Sequence, residues 1–284
     1  MKKKRLLGAM CIYAITCFQS AFAININLQT TPMTIGADSL SFSFDGINAS
    51  VSGYHVEYDP ASTASDKTTI YGPFSTSTAF TSGGNVFPIF GRVTDSSGTP
   101  INGLSLTSSE NLGQTGDDLG QNAAPGFDNT LAGGTFPGSS TTLDSFQFAL
   151  FIFDAPINIS EVIVDDVSNF NRDIWVAGGS TAPDLSSGFL SAFSGFSVIN
   201  STDDATGGFF THAFSPIQNI SYLAIGAPPD EMIGDLGSVI SNSTNTQFYI
   251  QGLTVSAIPI PAAVWLFSSG LLCIIGIARS RKSA

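Results

Sequence analysis

Between the chain's two ends only His55 and His212 carry imidazoles, and residues 24–256 contain no cysteine. That excludes a thiol nucleophile and thiolate metal ligands from this stretch. No Gly-x-Ser-x-Gly elbow, His-Glu-x-x-His pair, phosphate-binding loop or dinucleotide fingerprint occurs. Both histidines lie in alternating stretches, "SVSGYHVEY" and "GFFTHAF", where a structural or solvent-facing imidazole is expected. A carboxylate pair for glycoside hydrolysis would have to join acids distant in sequence, and nothing singles out such a pair. A secreted hydrolase is therefore the least supported function class.

Oxygen ligands are more plentiful. Asp165 and Asp166 close a strong strand pattern, with Asn169, Asn171 and Asp173 just behind. Alternating oxygen donors in a short loop could wrap Ca²⁺, which takes six to eight such ligands, with Asp165, Asp166 and Asp173 as the best candidates. The competing reading is a solvated turn, because Asp and Asn tolerate turn geometry. Asp117, Asp118, Asp128, Asp203 and Asp204 form similar groups, and none has EF-hand spacing. Trp175, in "DIWVAG", is either a core residue or an exposed ring able to stack on a sugar face. Calcium or Trp175 as the recognition element gives an alternative function, a carbohydrate-binding module.

The elements that would position these residues are strands. "SLSFSFDG" alternates Leu40, Phe42 and Phe44 against serines and stops at Asp45-Gly46. "SVSGYHVEY" follows, then "NVFPIFGRV", whose Pro88 predicts an edge or bulge. In "SFQFALFIFDAPINISEVIVDD", Phe146, Phe148, Leu150 and Ile152 share a face, Asp154-Ala155-Pro156 predicts a turn, and a second strand follows. "DIWVAG", "GFSVIN", "GFFTHAF", "SYLAIG" and "TQFYIQGLTV" are further strands. The fold class is all-β, a β-sandwich of jelly-roll type spanning residues 24–256. The glycine-rich stretch 113–142 is a long loop or a seam between halves, and a single domain is preferred.

Only 11% of residues are charged, and polarity comes from Ser, Thr, Asn and Gly. Lys67, Arg92 and Arg172 are the only basic residues between the ends, against 22 acidic ones. Nucleic acid is thus excluded as a partner by charge. Asn48, Asn158, Asn200, Asn219 and Asn242 begin Asn-x-Ser/Thr triplets, which chance explains in so Asn- and Ser-rich a chain.

The ends are addresses. Residues 1–23 have a basic start, an apolar stretch and the small-x-small ending Ala21-Phe22-Ala23, the pattern of a secretory signal peptide cut after Ala23. Lipidation at Cys17 is the alternative, without the usual small residue before it. Residues 262–278 are uncharged and as a helix would span about 26 Å, close to the ~30 Å hydrocarbon core. Trp265 sits near the outer end, and Arg279, Arg281 and Lys282 should hold the cytoplasmic side. Pro259-Ile260-Pro261, just before, keeps the chain extended and accessible.

"IPIPAAVWLFSSGLLCIIGIARSRK" resembles the PEP-CTERM sorting signals of Gram-negative bacteria, in their Val-Pro-x-Pro-Ala variant. The matched positions include Pro259, Pro261, Ala262, Trp265, Leu266, Phe267, Gly270 and Arg279; Ile258 replaces the usual Val, and Ile260 stands where the name-giving motif has Glu. The resemblance implies cutting near Pro259-Ile260-Pro261 by an exosortase, a membrane cysteine protease, and association with exopolysaccharide or biofilm. The sorting signal then covers residues 257–284, and the protein passes from an inner-membrane intermediate to the cell surface or medium. "ENLGQTGDDLGQNAAPGFDN" with "VDDVSNFNRDIWV" is loosely similar to the ectodomains of the same class. The expected function is a non-enzymatic surface or matrix protein.

Overall fold

A computed structural model describes residues 23–58, 62, 67–76, 79–82, 85–88, 90–106, 127–128, 144–166, 173–199, 208–227 and 247–257. The signal peptide up to residue 22, most of the 113–142 stretch and the sorting signal from residue 258 lie outside the described residues.

The strands are β1 (Ala23–Asn27), β2 (Thr34–Ile35), β3 (Leu40–Phe44), β4 (Ile47–Tyr58), β5 (Thr68–Tyr71), β6 (Ala79–Ser82), β7 (Asn85–Pro88), β8 (Phe90–Asp95), β9 (Pro100–Leu106), β10 (Phe127–Asp128), β11 (Asp144–Asp166), β12 (Ile174–Gly179), β13 (Ser197–Ile199), β14 (Phe209–Gly226) and β15 (Gln247–Ala257). A 3-10 turn at Leu185–Ser187 leads into a single helical turn, α1 (Phe189–Ala192). The fold is all-β and mostly antiparallel. Hydrogen-bonded neighbours run β13-β12-β14-β11-β15-β9-β8-β7-β6. From β11 a branch leads through β4 to β3, β2 and β5, while β1 and β10 pair with β15. Ile24–Val255 forms one compact unit.

The Asp45-Gly46 turn occurs as expected, with φ of 45° and 78°, the left-handed pair a two-residue hairpin needs. Pro88 ends β7, which is the strand next to the edge strand β6 and not the edge itself; it lies opposite Ala79 of β6 and beyond the β8 pairs at Asn85 and Val86. Phe127–Asp128, inside the long glycine-rich stretch, pairs with Phe248 and Gln247 of β15.

One expectation fails. Asp154-Ala155-Pro156 does not reverse the chain; β11 runs through it for 23 residues. Phe153↔Ala49 is the last pair with β4. The β14 ladder slips between Ile152↔Tyr222 and Ile157↔Ile220. Pro156 lacks the N–H that a regular ladder would use there, so the strand bends instead. β14 bends at the same level: Asn219 has φ of 57° and gives its N–H to Asn158 Oδ1 at 3.0 Å. Beyond the bend, the side chains of Glu161 and Asp165 meet Thr254 and Gln251 of β15. A single strand thus serves two sets of partners.

Both faces of the β4–β11–β14–β12 region are buried. On one, Tyr54, Phe146, Phe148, Trp175, Tyr222, Phe189 and Phe193 form the aromatic core, with Phe196 packed against it. On the other, the β8–β9 hairpin lies against β4. A Cβ on Gly53 would stand 2.5 Å from the Phe90 ring and 2.9 Å from Leu106. Glycine there is what admits the hairpin.

Candidate functional site

Past the aromatic core, the same face of the sheet is uncovered. The β4–β11 ladder ends at Phe153↔Ala49, and the start of β4 continues the surface with β3 and β2. Alternation decides what this open end displays. Phe42, Ile47, Ala49 and Phe153 turn inward and are buried. Ser41 and Ser43 of β3 and Asn48 of β4 are exposed, as are Thr34 and Asp154, and Ser50 is half-buried. Register sets them in cross-strand rows: Thr34 opposite Ser41, Ser41 opposite Ser50, and Ser43 opposite Asn48. A shallow depression of about 700 Å³ collects these groups, with Pro32, Met33 and Ile152 as its apolar part.

A chain of hydrogen bonds fixes its polar centre. Asn48 donates its backbone N–H to Asp154 Oδ1 at 2.8 Å and its side-chain Nδ2 to Oδ2 at 2.6 Å. Ser43 Oγ donates to Asn48 Oδ1 at 2.7 Å. The carboxylate is therefore held in one orientation by a residue 106 positions away in sequence. Each of its oxygens keeps acceptor capacity directed away from Asn48.

The residues singled out by sequence are placed elsewhere. Trp175 is fully buried, 4.9 Å centroid to centroid from Phe189 and 5.5 Å from Phe148 and Phe193. This corrects the exposed-platform reading: its ring cannot meet a sugar, because α1 and the Phe193–Phe196 turn cover it. His55 and His212 are 4% and 2% exposed, so neither faces solvent, as the alternation had suggested. Around His55 both faces of β4 are covered, Tyr54 and Val56 lying in the aromatic core and Gly53 under the β8–β9 hairpin, so alternation carries no signal for exposure there. Burial pulls the His55 imidazole down to about 4. His212 lies edge-on to Phe210 at 4.7 Å.

Asp165 accepts from Gln251 Nε2 at 3.3 Å. Burial, with an Asn102 hydrogen bond opposing it and the Asp165 charge adding to it, pushes the neighbouring Tyr249 hydroxyl up. Asp173 is buried just ahead of β12. β12 pairs with the C-terminal end of β14, whereas Asp165 pairs with Phe209 at its start. The Asp166 side chain is outside the described residues. Among the described residues no three His, Cys, Asp or Glu side chains gather as a metal site.

Arg92 is committed to the fold: its guanidinium donates to Gln29 O at 2.9 Å and Thr31 O at 2.6 Å. Signal-peptide residue Ala21 and the sorting-signal residues Pro259, Ile260, Pro261, Ala262, Trp265, Arg279, Arg281 and Lys282 lie outside the described residues, while Ala23 opens β1. Among the described residues no helix is long and apolar enough to cross a membrane.

Sequence reasoning missed Asp154 and Asn48 as a pair. Asp154 looked like a turn residue and Asn48 like a chance triplet, and only the β4–β11 register joins them. In comparisons with known proteins the chain matches no family model, no curated protein and no solved structure.

Proposed function

We propose that this chain is an exported, non-enzymatic surface or matrix protein, delivered by its C-terminal signal and released by an exosortase. The observation that carries this reading is the order of features at the end of the chain: Pro259-Ile260-Pro261-Ala262, the uncharged run 262–278, then Arg279, Arg281 and Lys282. In this scheme the prolines hold the cut site extended. The apolar run keeps the intermediate in the inner membrane, and the cations keep its tail cytoplasmic. Association with exopolysaccharide or biofilm follows from the same resemblance.

The strand ladder lends support. Among the described residues its strands run from Ala23 to Ala257, so all of the β body but Ala23 itself lies between the two expected cuts. The finer fold in this proposal is a two-layer sandwich of jelly-roll type. Packing of Phe90 and Leu106 on Gly53 and the change of partners along β11 support it, since strands that pass between layers do so through bends and bulges.

The test is the C-terminal mass of the protein recovered from the medium of the source bacterium. The expected terminus lies near Pro259–Pro261, and a variant with Pro259→Ala and Pro261→Ala should stay in the membrane fraction. Secreted protein that retains residues beyond Ala262, or unaltered release of the double variant, would overturn the reading.

A further inference from the structure

We infer that the depression at the β3–β4–β11 bend binds a neutral saccharide, with Asp154 as the central acceptor. The inference takes the matrix association proposed above one step further, to a contact surface on the body; the choice of ligand rests on the chemistry of the lining.

Four features select that ligand class. First, the only charged side chain in the lining is the Asp154 carboxylate, in a body already strongly acidic. Phosphorylated or acidic ligands would be repelled. Second, both carboxylate oxygens already accept from Asn48 N–H groups. That leaves a cation only the outer lone pairs of a single carboxylate, and no second carboxylate stands in the lining to complete the six to eight oxygen ligands that Ca²⁺ takes. A hydroxyl instead donates to a lone pair that Asn48 leaves open, and bonds from a neutral donor to a fixed carboxylate are among the stronger ones available.

Third, the remaining polar groups, Thr34, Ser41, Ser43 and Ser50, are hydroxyls, which can each donate and accept. A saccharide presents the same dual groups along its edge. Fourth, Met33 and Ile152 add apolar surface beside the hydroxyls, suited to the C–H face of a sugar ring. The acceptor is also preorganised. The Ser43→Asn48→Asp154 chain is formed without ligand, so little side-chain ordering has to accompany binding. The depression is shallow, so modest affinity per site is expected, as for a surface that contacts a polymer at many repeats.

The experiment uses the full-length chain, solubilised in detergent, on an array of neutral and acidic oligosaccharides, with titration calorimetry of any neutral oligosaccharide bound. Asp154→Asn keeps the shape but removes the charge and exchanges an acceptor oxygen for a donor. It should weaken binding by about tenfold or more. Because that change also loosens the Asn48 clamp, Ser50→Val serves as a second variant. It fills part of the depression, leaves Asp154 and Asn48 untouched and suits a strand.

Loss of binding in both variants at unchanged melting temperature supports the site. Several results overturn it: no neutral oligosaccharide bound; binding only of acidic glycans; binding that chelator abolishes; or binding indifferent to Ser50→Val. Each leaves the sorting proposal standing, since that one is read from the C-terminal mass in the medium. Conversely, an uncut C-terminus would remove the sorting account without touching the array result.

Discussion

Trp175 has Phe146, Phe148, Phe189, Phe193 and Phe196 around its ring. Its indole N–H nonetheless finds no acceptor among the described residues, because it points at Gly226, where a Cβ would come within 2.6 Å of Nε1. Packing therefore outweighs an unmet donor at this position. Trp175→Ala should cost about 3–5 kcal/mol, whereas Trp175→Phe removes the unmet donor with much of the ring and should cost clearly less. Urea denaturation of the three proteins checks the order. Equal loss in both variants would mean that the ring contacts are not what holds the core. The sequence made Trp175 conspicuous, yet ring count alone cannot say which rings surround it.

The bent pair β11–β14 is the element that shapes both the fold and the depression. Sequence showed the strands on either side of Asp154-Ala155-Pro156 but read the proline as a reversal, since a turn and a bend use the same residues. What distinguishes them is the partner strand: β14 bends alongside, with Asn219 in a left-handed conformation at φ 57°. Only Gly, Asn and Asp adopt that region at low cost. Asn219→Gly should thus be nearly neutral in a melting experiment, apart from loss of the Asn side chain. Asn219→Val should destabilise by at least about 1–2 kcal/mol. If valine is tolerated as well as glycine, the bend is not fixed by that backbone conformation. Partner choice along β11 was illegible locally because each half of the strand satisfies the same alternation whichever neighbour it takes.

At the scale of the whole molecule, stability should depend on pH through His55. Its imidazole sits between Gln147 of β11 and Tyr71 of β5, and burial lowers it from 6.5 to about 4. The unfolded chain therefore binds the extra proton first. Stability is complete above pH 6.5 and is lost as the pH falls from there through 4, by on the order of 3 kcal/mol. Denaturant midpoints at pH 7.5 and 4.5 should differ, and His55→Phe should flatten the difference. An equal drop in the variant would assign the effect to other groups. By itself the sequence determined the all-β class, most strand positions, the Asp45-Gly46 turn and the order of motifs at the C-terminus, all of which are encoded by local period and composition. Tertiary structure alone decided that Trp175 and the histidines are interior, that β11 bends instead of reversing, and that Asp154 meets Asn48. Those outcomes depend on which strand lies beside or above another, and a period of two repeats identically for every candidate neighbour.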